Sequence, residues 1–164
     1  MDALTGLRPV DHNAIRTNQV VIISLSLLAF VLDIAWLAGL VGAVMLLGML
    51  LSKPGFGFVY QLGLKPMGLL KADLAADNPE PHRFAQGFGG VVLLIGFSAL
   101  LLGANWLGWG LVWLVIALAA LNLFAGFCVG CALYYWLGRA NLPWFNKLPP
   151  AGVIPGMRPT GEPK

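Results

Sequence analysis

Long apolar runs alternate with polar segments along this chain, and their lengths set out an architecture. The opening segment, Met1 to Gln19, is polar and carries Arg8, Asp11, His12, Asn13 and Arg16. From Val20 to Leu51 the chain is apolar apart from one charge, Asp33. As a single helix this run would be ~48 Å long, well beyond a hydrocarbon core of roughly 30 Å. Two helices turning near Asp33 to Trp36 fit better, once Ile15 to Gln19 and Ser52 complete the outer turns. Periodicity does not discriminate, because a helix held between lipid and protein is apolar all round. A third apolar run covers Gly87 to Leu102, and a fourth, Trp106 to Trp136, contains no charged residue. The pattern predicts an all-α integral membrane four-helix bundle. It forms a single transmembrane domain over 1–148, with spans at about 16–33, 36–52, 84–103 and 107–137.

Charge placement supports this division. Arg8 and Arg16 precede the first span. Lys53, Lys65, Lys71 and Arg83 lie between the second and third, and Arg139, Lys147, Arg158 and Lys164 follow the fourth. All ten cations then share one side, which the positive-inside rule makes cytoplasmic. A three-span arrangement would put four of them outside. The expected protein is multi-pass in a cell inner membrane, with both termini cytoplasmic. Its central loop, PGFGFVYQLGLKPMGLL, is amphipathic and expected along the cytoplasmic interface as short broken helices. KADLAADNPEPHRF is polar, with Pro79 and Pro81 expected to stop any helix before the third span. The Pro- and Gly-rich tail, 149–164, is expected to be disordered.

Composition agrees. Only 10% of the 164 residues are charged, against about a quarter in soluble domains, which makes the lipid bilayer the first partner. Met1 to Gln19 is polar for too long to read as a cleaved signal. The net charge of +3 does not point to nucleic acid, because no dense Lys/Arg cluster with interleaved aromatics exists. No cofactor is specified.

Chemistry centres on the two cysteines, Cys128 and Cys131, in F-C-V-G-C. Within a continuous helix both thiols would share a face, beside Gly126 and Gly130, where a neighbouring helix can come close. Three roles fit. Small, soft cysteines pack well in a bundle. CxxC is also the usual spacing of an exchanging dithiol, although apolar surroundings inside a helix would make poor thiolates. Finally, thiolates bind soft metals, and His82 on the same membrane face would supply a third ligand; two sulfurs alone are too few for a closed zinc site. The pair would lie ~12–16 Å inward from Arg139 along the helix, facing a reducing compartment.

A polar set gathers at the same face: Asp11, Asn13, Arg16, Asn18 and Gln19 before the first span, and His82, Arg83 and Gln86 before the third. Capping and headgroup contact are the plain explanation. The alternative is a cavity where Arg16 or Arg83, with His82, tunes the pKa of Cys131 or binds an anion. Asp33 fits a turn on the outer face, and Asn122 in mid-span needs a polar partner.

Three pieces together, DHNAIRTNQ, PHRFAQGFGG and FCVGC, resemble a bacterial family of four-span membrane proteins known as a domain of unknown function (DUF family four-three-nine-five). The resemblance runs from about Val10 to Arg139. It implies an inner-membrane protein without supplying an activity, and it carries over Asp11, Asn13, Arg16, Pro81, Arg83, Phe84, Cys128, Gly130 and Cys131 as family-pattern positions. A looser similarity is to membrane oxidoreductases of the vitamin K epoxide reductase type, which also place a CxxC on a bundle helix. This chain departs from them in having no loop cysteine pair.

The leading expectation is a membrane dithiol protein in thiol or sulfur redox chemistry, with a cytoplasmic thiol protein or a quinone as partner. The alternative is a non-catalytic accessory subunit of a membrane complex, or a homo-oligomer, packed through the cysteine and glycine face. A transporter fits less well, because the spans carry little charge for a permeation path.

Overall fold

The computed structural model describes residues 8–68, 70–140, 145, 147, 149 and 152–159. A short strand β1 (Arg8–Asp11) leads into α1 (His12–Val31), followed by α2 (Ala35–Leu50). A connecting segment holds one π-helical turn, Val59–Leu64, and strand β2 (Leu74–Asp77). Helices α3 (Pro79–Leu101), α4 (Asn105–Ala125) and α5 (Val129–Arg139) complete the chain.

α1 packs against α2 and α4, and α3 does the same from the other side, so the four helices close a ring. Ile22, Ala29, Ala38, Val41, Leu93, Val112 and Val115 fill its interior. Small residues allow close approach. A Cβ on Gly42 would lie 3.1 Å from Gly90 O, and one on Gly96 would lie 3.1 Å from Gly108 O. The outer surface is apolar too, with Leu40, Leu47, Val91, Ile95, Trp113, Leu114 and Phe124 exposed. That is the opposite of a water-facing surface. His12–Val31, Pro79–Leu101 and Asn105–Ala125 are long and apolar enough to cross a membrane, and Ala35–Leu50 is a shorter apolar helix.

The turns between helices are set by local chemistry. After α1, Asp33 takes a left-handed conformation (φ 52°) while its N–H and that of Ile34 return to Phe30 O and Ala29 O. This is the Schellman closure usually made with glycine, and it makes Asp33 the expected turn residue. Gly103 closes α3 in the same way.

Several expectations are corrected. The helices are not the whole fold, because β1 and β2 pair antiparallel, Arg8 with Asp77 through Asp11 with Leu74. Pro79 and Pro81 do not stop a helix: they open α3, where the first-turn N–H groups have no intrahelical partner to lose. The expected run 107–137 is two helices, not one. Gly126 takes a left-handed conformation (φ 65°) and ends α4, and Cys128 begins α5. The connecting segment is only partly amphipathic: Phe58, Leu62 and Met67 are exposed, whereas Phe56 and Tyr60 are buried in the end of the bundle. Within the tail expected to be disordered, residues 152–159 fold back on the protein, with Met157 bridging Phe127; residues 160–164 lie outside the described residues.

Candidate functional site

The β1–β2 ribbon decides where the polar residues meet. β1 runs directly into α1 and β2 into α3, so pairing the strands brings the starts of both helices side by side. His12 opens α1 and His82 sits in the first turns of α3. These are the chain's two histidines, and both converge on Asp77 at the end of β2. His82 Nε2 lies 2.8 Å from Asp77 Oδ2, and His12 Nε2 lies 3.5 Å from the same oxygen. The second contact is longer, and His12 Nε2 is buried without a hydrogen-bond partner among the described residues. Asn78 N–H donates to Asp77 Oδ1 at 2.7 Å. Burial works against the charge on Asp77, but the contacts from His12 and His82 and the Asn78 N–H outweigh it. The carboxyl is held well below its ordinary range.

Breaking the α4–α5 run at Gly126 puts the cysteines at a helix N-terminus. Cys128 is the N-cap of α5, and its Sγ accepts the Cys131 N–H at 3.1 Å. Cys128 and Cys131 are joined as a disulfide with Cα atoms 5.2 Å apart, and both are buried. The objection that the thiols sit in mid-helix therefore falls away, while their burial remains. Unpaired N–H groups and the positive end of the helix favour a thiolate at this position. Gly130 lets α5 meet α3, since a Cβ there would sit 2.5 Å from Ala85 Cβ.

His82 links the two halves of the site. Its Nδ1 lies 3.5 Å from Cys131 Sγ while its Nε2 meets Asp77. An ionised carboxylate only accepts, so Nε2 carries the proton and a neutral ring presents the Nδ1 lone pair to the sulfur. That tautomer follows from the hydrogen-bond pattern.

The other expected residues divide. Arg16 is exposed and lines a cavity of about 30 Å³ together with His12, Asp77, His82, Cys128 and Cys131, room for about one water molecule. Arg83 is not in that cavity's lining; it donates from Nη2 to Met49 O at 3.1 Å. Asp11 caps α1 by accepting from Asn13 N–H, and it also accepts from Tyr60 Oη at 2.9 Å. Asn18 Oδ1 accepts from Phe56 N–H at 2.8 Å, and Gln86 Nε2 donates to Met45 O at 2.8 Å. Asp11 thus caps a helix, whereas Asn18 and Gln86 bind backbone groups of neighbouring segments. Asn122 lines the 30 Å³ cavity from α4. The weak metal set, His82, Cys128 and Cys131, does come together, with its ligand atoms within 4.8 Å of one another. A disulfide has no thiolate to offer a metal, so that set would apply to the reduced pair alone.

Sequence reasoning missed His12 and Asp77. One signal was available: both histidines stand just before or at the start of an apolar run, on the same expected membrane face.

The tail covers the site from the polar end. Cys128 N–H donates to Gly156 O at 2.7 Å, and Arg158 N–H donates to Gly126 O at 3.0 Å. The Arg158 guanidinium pairs with the Asp73 carboxylate, which ties this strap to the residues just before β2.

A family model described as a domain of unknown function (DUF4395) matches residues 10–139. No curated protein and no solved structure matches the chain.

Proposed function

The chain belongs to that family of unknown function, and from this premise we propose that it is a membrane dithiol–disulfide oxidoreductase. One observation carries the reading: a CxxC pair at a helix N-terminus, with an Asp77–His82 pair against its second sulfur. Packing alone would not require an oriented imidazole there. In the reduced state the Cys128 thiol, at the N-cap, is the one that gives up its proton more readily. His82 Nδ1 takes the Cys131 proton, the S–S bond closes, and two electrons with two protons leave for an acceptor. Reduction of the disulfide runs the same steps backwards. Arg16, on the wall of the small cavity, adds positive potential near both sulfurs.

We place the protein in a bacterial inner membrane with four spans and cytoplasmic termini, α2 being the short one. The positive-inside distribution of the ten cations supports this. The dithiol then works at the cytoplasmic end of the bundle, where either a cytoplasmic thiol protein or a quinone is within reach.

Alkylation of the purified protein after equilibration with defined dithiothreitol ratios tests the reading. The pair is expected to cycle as one two-electron couple. A pair that stays fixed in one state across the whole range, together with a Cys128→Ser/Cys131→Ser variant that keeps full function in vivo, would favour the accessory-subunit role instead.

A further inference from the structure

The site stands between two cavities of opposite character. One is the small polar space already described. The other is a chamber of about 380 Å³ lined from all five helices, β1 and the segment after α2, with Ile15, Gln19, His82, Asn122 and Cys128 common to both. Ile22, Met45, Val115, Leu118 and Ala119 make up much of its lining, and Phe88, Val129 and Leu133 are exposed at its edge. That trio gives the chamber an apolar edge, which in a bilayer meets lipid, while Pro9, Ser52, Lys53 and Gln61 line it toward the polar end. Arg83 also lines the chamber, and its Nε is buried without a hydrogen-bond partner among the described residues.

From the polar end the strap holds Gly156 against the Cys128 backbone, and both cysteines are buried. A protein thiol arriving from water would have to displace it. The chamber has Cys128 in its lining and none of the described strap residues. A volume of this size, mostly apolar with a few polar groups at one end, fits a small-molecule site.

Building on the dithiol reading, we propose that the chamber binds a membrane quinone as the two-electron partner of Cys128 and Cys131. A quinone dissolves in hydrocarbon and carries carbonyl oxygens that can accept from Arg83 Nε–H. It takes up what the dithiol gives: both S–H bonds break, one S–S bond forms, and the quinone leaves as quinol with two electrons and two protons. The reverse reaction, quinol reducing the disulfide, uses the same chamber.

The test uses the full-length protein in nanodiscs, reduced with dithiothreitol and freed of it, with a short-tailed ubiquinone as the probe. Disulfide formation is followed by alkylation and quinol by absorbance. One quinol is expected per disulfide formed. Ala119→Phe, which fills the chamber, is expected to slow the reaction at least tenfold. The Cys128→Ser/Cys131→Ser variant is expected to bind the probe saturably, which keeps the site testable if Ala119→Phe does not fold. Wild-type protein that cycles with dithiothreitol but is not oxidised by the quinone overturns the quinone site alone. Equal oxidation rates in wild type and a folded Ala119→Phe protein would also overturn it. A pair that does not cycle with dithiothreitol removes the dithiol reading itself.

Discussion

Asp77 Oδ2 lies 2.8 Å from His82 Nε2, and this contact fixes which ring nitrogen faces the Cys131 sulfur. Without it the proton can sit on Nδ1, and the imidazole loses its lone pair toward the thiol. Asp77→Asn is expected to slow alkylation of reduced Cys131 at neutral pH by about tenfold or more, the scale of a misplaced general base. The rate measured against pH checks this, and an unchanged profile would separate His82 from the thiol.

The same carboxylate makes a pH prediction for stability. Its pKa is lower in the folded protein than the ordinary 3.8. The sign is therefore that of a stabilising carboxylate. Its contribution is complete above the unfolded value and is lost as pH falls through the lower, folded one. Asp77→Asn is expected to cost about 1.5–3 kcal/mol at neutral pH, with the gap to wild type closing below pH of about 4. Thermal unfolding in detergent across pH measures it.

The strap makes a separate prediction. Gly156 has φ 91°, and a Cβ there would lie 2.8 Å from Cys128 O and 2.9 Å from Ala132 Cβ. Gly156→Val should lift the strap from α5. Reduced Cys128 should then react several-fold faster with a membrane-impermeant maleimide. Equal rates would mean that the sulfurs are already open to water.

Gly126 tests the break between α4 and α5. In a continuous helix, Gly126→Ala would stabilise by about 1 kcal/mol. At a left-handed position it should instead destabilise by about 1–2 kcal/mol. The sign of the change in unfolding temperature decides between them.

Topology is read by labelling. Single cysteines placed at Asp33 and at Lys65, in a Cys128→Ser/Cys131→Ser background, should be accessible from opposite sides of the membrane. Labelling from the same side would end the four-span arrangement.

The sequence by itself determined that the chain is mostly apolar helix with a break at Asp33, and the reason is local. Apolar run length and the Asp33 interruption each depend on a few neighbouring residues and on the solvent. It also marked Cys128, Cys131 and His82 as one candidate set. Tertiary structure alone decided how they meet. RPVD and LAAD show no strand pattern of their own; they become strands by pairing with each other across more than sixty residues. That pairing sets His12 and His82 around Asp77. Gly126 could be read as a packing glycine or as a helix stop, because both need no side chain. Contacts from Gly156 and Arg158 to the Cys128 N–H and the Gly126 carbonyl accompany the stop. Such a choice rests on partners far along the chain, which no local window contains.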